Sequence, residues 1–384
     1  MAPRSAILMD QGAGRRWNDT WQLAGEARGA RYQLRAKTFA GGLSDGVWGL
    51  EIDNGAWQIE LLPSRGMSIW KARCGEVELG WKSPVRGPVH PSYVPLTEPS
   101  GLGWLDGFDE LLVRCGLESN GAPDFDEQGK LLYPLHGKIG NRPAHRVQVT
   151  VDDQSGEITV TGEVAETRFH FLKLLLTTTL RTRIGSTRWE LVDRVTNLSA
   201  VPADMQMLYH INLGLPLLDA GSRVIVPAKR VVPRNAHSAE HRAGWDHFGA
   251  EQAGFAEQVY FCELWPDAQG RTEVLLKNAH GTRGFSVGYR LAELPCFTLW
   301  KNTAAADDGY VTGLEPGTNF PNPRTFERQH NRQIQLAGGA HREFRVDCEY
   351  HATAAAVEAT ERRVSGLSQG QAELADGPLA DWCA

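Results

Sequence analysis

The stretch that decides the fold lies between residues 147 and 195, where apolar and polar side chains alternate one by one. It reads Val147-Gln-Val-Thr-Val151, then Glu157-Ile-Thr-Val-Thr161, then Thr187-Arg-Trp-Glu-Leu-Val-Asp-Arg-Val195. A period of two is typical of strands that bury one face. The apolar run Phe169–Leu180 lies between the last two segments and is predicted to be a long strand covered on both faces, with a buried helix as the alternative.

Similar short segments recur along most of the chain, and 41 Gly and 20 Pro separate them as turns would. The further predicted strands are Trp57–Leu62, Met67–Ala72, Met205–Ile211, Gln258–Leu264, Glu273–Asn278, Gly284–Tyr289, Cys296–Trp300 and Glu343–His351. Helix signals are confined to short stretches at Asn18–Ala27 and Ala354–Arg363. No alternation of strands and helices and no repeat of fixed period is present. The pattern predicts an all-β fold, a single large antiparallel β-sandwich with a few short helices.

No linker divides the chain, so we expect one sandwich over residues 45–352, with an N-terminal extension (1–44) packed on it and a C-terminal tail (353–384). One irregular segment is unusually long. Residues 83–107 contain five prolines and Trp104. Structureless loops longer than about 12–15 residues are usually functional or disordered. We therefore predict an ordered loop that covers a site.

Composition excludes several classes of protein. The 384 residues contain 40 Lys and Arg against 46 Asp and Glu, a net charge of -6, whereas a nucleic-acid-binding domain is basic. No window approaches the ~18 consecutive apolar residues of a membrane-spanning helix, and the apolar stretch at the N-terminus is too short for a signal peptide. The six cysteines are scattered, without the spacing of a zinc site. These features predict a cytoplasmic protein that binds neither nucleic acid nor membrane.

Two histidines and one glutamate stand at predicted junctions between strands and loops. They are His136 in Leu135-His-Gly137, His210, and Glu315 before Pro316. His210 and Asn212 share one face of a strand, because side chains repeat every second residue. Each group alone has a structural explanation, but together they are the parts needed for paired proton transfer.

In their order along the chain these segments resemble the galactose mutarotase-like superfamily, the aldose 1-epimerases and their relatives. The matching segments are Leu135-His-Gly137, His210-Ile-Asn-Leu-Gly214, Leu294-Pro-Cys-Phe-Thr-Leu-Trp300, Leu314-Glu315 and Asn319-Phe-Pro-Asn-Pro323. The resemblance covers most of residues 45–352. Arg65-Gly-Met67 and Trp300-Lys-Asn302 are similar to a bacterial branch of unknown function.

The resemblance implies an isomerase that interconverts the anomers of a monosaccharide without metal or cofactor. It assigns Glu315 as the base and His210 as the acid, with His136 bonded to the ring oxygen or a neighbouring hydroxyl. Asp246 lies in Gly244-Trp-Asp-His247, which is similar to an element that supplies a substrate-binding Asp. The candidate substrate-binding residues are Asn212, Lys301, Arg65, Asn319, Asp246, Arg114 and Trp104. A monomer or a homodimer is expected.

Two other functions remain open on the sequence alone. His237-Ser-Ala-Glu-His241 has the i, i+4 spacing that binds a metal from a helix face, with Asp246 and His247 nearby. A metal held there would support a keto-sugar isomerase or epimerase acting through an enediolate. Alternatively, the protein is a non-catalytic sugar-binding sandwich, because a fold does not fix chemistry.

Overall fold

Two large sheets face one another across the interior, and they confirm the predicted all-β sandwich. The structure is a computed structural model and describes residues 2–384. Its strands are β1 (Arg4–Asp10), β2 (Gln22–Ala27), β3 (Ala30–Thr38), β4 (Trp48–Asp53), β5 (Trp57–Leu62), β6 (Ser68–Cys74), β7 (Val77–Leu79), β8 (Leu112–Leu117), β9 (Asp124–Phe125), β10 (Leu131–Tyr133), β11 (Ala144–Asp152), β12 (Glu157–Thr167), β13 (Lys173–Arg183), β14 (Arg188–Asn197), β15 (Ala203–Gly214), β16 (Arg223–Ile225), β17 (Ala228–Pro233), β18 (Gln258–Leu264), β19 (Arg271–Lys277), β20 (Gly284–Arg290), β21 (Cys296–Thr303), β22 (Tyr310–Gly317), β23 (Ile334–Leu336), β24 (His341–His351) and β25 (Glu373–Leu374).

The helices are short and lie in the connections. The α-helices are α1 (Ala236–Glu240), α2 (Ala306–Gly309), α3 (Arg324–Gln329) and α4 (Ala354–Ser365). Single 3-10 turns occupy Gly42–Ser44, Pro91–Tyr93, Gly103–Gly107, Ile139–Asn141 and Arg242–Gly244. In the described part of the chain no helix is long and apolar enough to cross a membrane.

One sheet has nine strands in the order β1-β11-β12-β13-β14-β24-β20-β19-β16. The other has 14, in the order β2-β3-β4-β5-β6-β8-β15-β22-β21-β18-β17-β25, with β7 added to β6 and β23 to β15. Neighbouring strands are antiparallel except β17 and β25, which pair in parallel. Residues 1–44 contribute strands to both sheets, because β1 pairs with β11 and β3 pairs with β4. Residues 353–384 supply α4 and the edge strand β25.

The predicted alternation produces the core directly. In β12, β13 and β14 every second side chain is buried, and Val160, Leu176 and Leu191 all join the main apolar cluster. The expectation that β13 is covered on both faces was wrong. Every second residue from Leu174 to Thr182 is buried, whereas the other face, which carries Thr177 and Thr179, is half-buried to exposed. Phe169 and Phe171 lie exposed in the preceding turn.

Of the two predicted helices, one is confirmed and one is wrong. The segment beginning at Ala354 forms α4, whose N-cap Thr353 accepts a hydrogen bond from the backbone of Ala356. The segment Asn18–Ala27 instead ends in the strand β2, which alternates exposed and half-buried residues against β3. Pairing with a neighbouring strand overrides the local preference there.

The strand β15 crosses the middle of the larger sheet with both faces covered. Every residue from Met205 to Gly214 is buried. On the inner face Tyr209 donates a hydrogen bond to Asp193 of β14 at 2.8 Å, and Asp193 also pairs with Arg114 of β8. This buried network joins the two sheets directly behind His210, which projects from the outer face.

Candidate active site

A cavity of about 260 Å³ opens on the outer face of the larger sheet, above β15, β22, β21 and β18. Register explains why its floor is polar. Thr298 of β21 pairs with Glu315 of β22, and Ile211 of β15 pairs with Leu314. Adjacent residues on a strand face opposite ways, so Leu314 and Ile211 enter the core while Glu315, Thr298 and His210 face the cavity.

The carboxyl of Glu315 and the imidazole of His210 are in direct contact on this floor. Oε1 of Glu315 lies 3.3 Å from Nε2 of His210, and the two side chains are almost fully buried. His136 enters from the loop after β10, and its ring centre is 5.1 Å from that of His210. The structure therefore brings together the three groups predicted to transfer protons.

Asn212 fixes the orientation of the His210 ring. Its amide nitrogen donates to the carbonyls of Glu110 and His210, so its Oδ1 faces the ring and accepts a 2.6 Å hydrogen bond from Nδ1. With the proton on Nδ1, Nε2 is unprotonated and lies 3.3 Å from Oε1 of Glu315. Asn212 thus acts behind His210 and is not part of the cavity lining.

His136 is held in a similar way by backbone. Nδ1 of His136 donates to the carbonyl of Asn120 at 3.0 Å, which leaves Nε2 free on the cavity side. Asn120 is itself fixed by a reciprocal pair of side-chain hydrogen bonds with Asn319, at 2.9 and 3.0 Å. Asn319 is fully buried and lies behind His136, outside the cavity lining.

Burial favours the neutral form of all three groups. Desolvation lowers the pKa of His136 to about 4, and it lowers the pKa of His210 well below its usual value. Desolvation, with the nearby charge of Glu257, raises the pKa of Glu315 well above its usual range. Burial therefore favours a neutral pair, in which the shared proton is on the carboxyl of Glu315 and Nε2 of His210 carries none.

Gly313 leaves the space in which this pair sits. It precedes Glu315 by two residues on the same face of β22 and pairs with Trp300. A Cβ at position 313 would lie 2.5 Å from Oε1 of Glu315 and 3.2 Å from Cε1 of His210. Any other residue there would displace the carboxyl.

Aromatic rings surround the two imidazoles. Trp104 lies 4.6 Å from the centre of His136, and Phe108 lies 5.2 Å from that of His210. Trp300 closes the opposite side at 5.5 Å from His210. Trp104 comes from the long segment 83–107, which is ordered by two 3-10 turns and forms one wall of the cavity. Rings in this position suit the apolar face of a sugar.

Sequence reasoning missed two charged residues of the cavity, Arg234 after β17 and Glu257 before β18. Nη1 of Arg234 is 3.6 Å from Oε1 of Glu257, whose Oε2 accepts a 2.7 Å hydrogen bond from Nε1 of Trp300. Both residues lie in connections with no strand pattern, and their only signal was their position beside predicted strands. The pair forms a polar wall of the cavity beside Glu315.

Two of the predicted sugar-binding residues, Arg65 and Arg114, are buried away from the cavity. Arg65 is buried, pairs with Glu110 and donates to the carbonyls of Val89 and Gly107, so it anchors the long loop. Arg114 lies between the sheets in the Asp193 network. These positions satisfy a guanidinium with several acceptors, which is the usual condition for burying one.

Lys301 and Asp246 also point away from the cavity. Lys301 follows Trp300 on β21 and so faces the opposite side, where Nζ donates to the carbonyl of Gly244 at 2.8 Å. Burial lowers the pKa of Lys301 to about 8. Asp246 pairs with Arg223 at 3.0 Å and with its neighbour His247. Of the seven candidate binding residues, Trp104 alone lines the cavity.

The candidate metal segment folds as α1 and the turn that follows it. The rings of His237 and His241 lie 4.7 Å apart, and Nε2 of His237 bonds to the carbonyl of Ala256. Within residues 2–384 no group of three or more His, Cys, Asp or Glu side chains is placed to hold a metal ion. Larger grooves, of about 390 and 500 Å³, lie on the outer faces of the sheets and contain no histidine.

The two-sheet sandwich is shared with solved structures of aldose 1-epimerases and galactose mutarotase-like proteins. A "putative aldose 1-epimerase" from Klebsiella pneumoniae is 32% identical, covering 98% of this chain and 99% of its own, with a TM-score of 0.95. Two more distant structures share the fold. A galactose mutarotase-like protein from Clostridium acetobutylicum is 13% identical, with 87% of this chain and 99% of that chain covered and a TM-score of 0.56. A galactose 1-epimerase from Lactobacillus acidophilus is 12% identical, with 83% of this chain and 98% of that chain covered and a TM-score of 0.53.

The family model described as Domain of unknown function (DUF4432) matches residues 44–350. The chain therefore belongs to the DUF4432 family, within the galactose mutarotase-like superfamily. A search of curated proteins finds no match.

Proposed function

We propose that the protein is an aldose 1-epimerase-like isomerase that interconverts the anomers of a monosaccharide by general acid and base catalysis. The observation that carries the proposal is the contact between Oε1 of Glu315 and Nε2 of His210, 3.3 Å apart at the floor of a sugar-sized cavity. Mutarotation needs a proton removed from the anomeric hydroxyl and another delivered to the ring oxygen. One acid and one base a few ångströms apart meet this need.

The proton count of the pair fits this cycle. In the unliganded site the shared proton stays on Glu315, because burial disfavours both charged forms. When a sugar enters, transfer of this proton to Nε2 gives a carboxylate beside the anomeric hydroxyl and an imidazolium beside the ring oxygen. Asn212 Oδ1 stabilises that imidazolium through Nδ1.

Ring opening then follows from two proton transfers. Glu315 accepts the hydroxyl proton as His210 protonates the ring oxygen, and the bond between that oxygen and C1 breaks. Rotation about the bond from C1 to C2 presents the other face of the carbonyl, and the reverse transfers close the ring. His136, neutral with Nε2 unprotonated, accepts a hydrogen bond from a neighbouring hydroxyl rather than donating to the ring oxygen. Each positioned transfer is worth about 10²–10⁴ in rate.

The variant Glu315→Gln tests this function. It keeps the size and hydrogen-bonding capacity of the side chain but cannot accept the proton, so we expect anomer exchange to fall by about 10²–10⁴. Exchange is measured by NMR or polarimetry, and sugar binding by saturation-transfer NMR. The matched control is Glu263→Gln, at an exposed glutamate of β18 paired with Lys229.

Two results would refute the proposal. One is near-normal exchange in the Glu315→Gln protein, which would remove Glu315 from the reaction. The other is a wild-type protein that binds sugars while their anomers exchange no faster than in buffer, which would make this a binding site only.

A further inference from the structure

The cavity is polar on one side and apolar on the other, and this division follows the order of the strands. Across the sheet the order β15, β22, β21, β18, β17 places His210, then Glu315, then Trp300, and then the Arg234–Glu257 pair. The other side, beyond the histidines, is built by the long loop and the turn before His136. Its side chains are Leu102, Trp104, Leu105, Pro123 and Leu135.

This arrangement fixes which part of a sugar meets which wall, if the proposed function holds. With the anomeric hydroxyl at Glu315 and the ring oxygen at His210, C2 and C3 extend toward Arg234 and Glu257. C5 is bonded to the ring oxygen, so its substituent extends past His210 toward the apolar wall. The sugar ring therefore lies along the sheet, and the exocyclic carbon C6, which is attached to C5, lies against the leucines.

The polar wall has hydrogen-bonding groups that are not used within the protein. No hydrogen bond engages the guanidinium of Arg234, whose sole partner among the described residues is the carboxylate of Glu257 at 3.6 Å. Together they offer several donors and an acceptor to the hydroxyls on C2 and C3.

The side chains of the apolar wall are mostly hydrocarbon, with Nε2 of His136 beside them as an acceptor and the indole N–H of Trp104 as a donor. With the hydroxyl on C4 at this acceptor, the substituent on C5 extends past both groups and faces Leu102, Leu105 and Leu135. A hydroxyl desolvated against leucine without a partner is unfavourable, whereas a methyl group gains from the same contact.

Two leucines of this wall are unusually exposed for their type. Leu102 and Leu105 are each 44% exposed at the mouth of the cavity, next to the buried Trp104. Exposed apolar side chains that continue into a binding cavity are typical of surface that a ligand covers. We infer that the substrate is a 6-deoxy aldose, whose C5 methyl group packs against Leu102, Leu105 and Leu135.

The test compares sugars that differ at C6 alone, namely L-fucose with L-galactose and L-rhamnose with L-mannose. We expect kcat/KM for anomer exchange to be about 10–100-fold higher for the 6-deoxy member of at least one pair, the range over which an apolar pocket discriminates against an added hydroxyl. The double variant Leu102→Ser, Leu105→Ser should reduce this preference to less than about threefold. Because both leucines are exposed, the fold should tolerate the change.

Leu132→Ser is the matched control, since Leu132 is 43% exposed on β10 but does not line the cavity, and it should keep the wild-type preference. Equal rates within both pairs, or faster exchange of the parent hexoses, would overturn this inference and leave the proposed function standing. If the protein accelerated anomer exchange of none of the four sugars, the result would count against both this inference and the proposed function. A preference that survives the double variant would also overturn the assignment of the leucine wall.

Discussion

Replacing Gly313 by alanine is the sharpest test of whether the position of the Glu315 carboxyl matters to the reaction. The new Cβ would lie 2.5 Å from Oε1 of Glu315. The optimal separation of two non-bonded heavy atoms is about 3.5 Å, so the Glu315 carboxyl must move about 1 Å away from the new Cβ. A shift of that size in a reacting group costs about 10² in rate. We expect kcat to fall about a hundredfold.

The same change should leave the fold intact. Gly313 lies inside β22, where alanine is no worse than glycine for the backbone, and its second near neighbour is the edge of the His210 ring at 3.2 Å. The free energy of unfolding, measured in urea, should therefore change little. Gly288→Ala in β20 is the control, because its Cβ would meet only the flexible end of Arg271 at 3.2 Å. Gly313→Ala with wild-type kcat would refute the reasoning.

Two further variants probe the surroundings of the site. Asn212→Ala removes the acceptor that orients His210, so kcat should fall about 10–100-fold while KM changes little. A fall in kcat accompanied by a rise in KM of similar size would mean that Asn212 has a purely structural role. Burial raises the pKa of Glu166 to about 7 from 4.5, so the folded protein keeps a proton that the unfolded chain releases as pH rises through this window. The contribution of Glu166 to stability should fall by about 3 kcal/mol between pH 4.5 and 8, so the stability of Glu166→Gln in urea titrations should decline less over this range than that of the wild type, by about this amount.

Much of the fold could be predicted because alternation records which face of a strand is buried. The strands Trp57–Leu62 and Gln258–Leu264 have the predicted bounds. The same logic failed at β2, where the pattern is weak and only the neighbouring strand β3 makes the segment extended. It also misjudged β13, where three leucines are followed by three threonines, so the residue types do not alternate although burial does.

The candidate site divides in a similar manner. His136, His210 and Glu315 could be found because their segments follow one another in a recognisable order along the chain, although His210 lies inside β15 and not at the predicted junction. Arg65 and Arg114 were expected to bind sugar, but they are buried in ion pairs, and a sequence does not reveal whether an arginine meets a partner inside the protein. Arg234 was not expected to bind sugar but does line the cavity. It lies in an irregular connection and reaches the cavity only through the packing of distant strands.

The enclosure of β15 on both sides has a practical consequence for altering sugar preference by directed evolution. A library that randomises this strand would consist mostly of proteins that fail to fold, since each position from Met205 to Gly214 contacts neighbours on every side. The long loop around Leu102 and the connection at Arg234 have room for new side chains, and diversity placed there would reshape recognition without disturbing the proton-transfer groups.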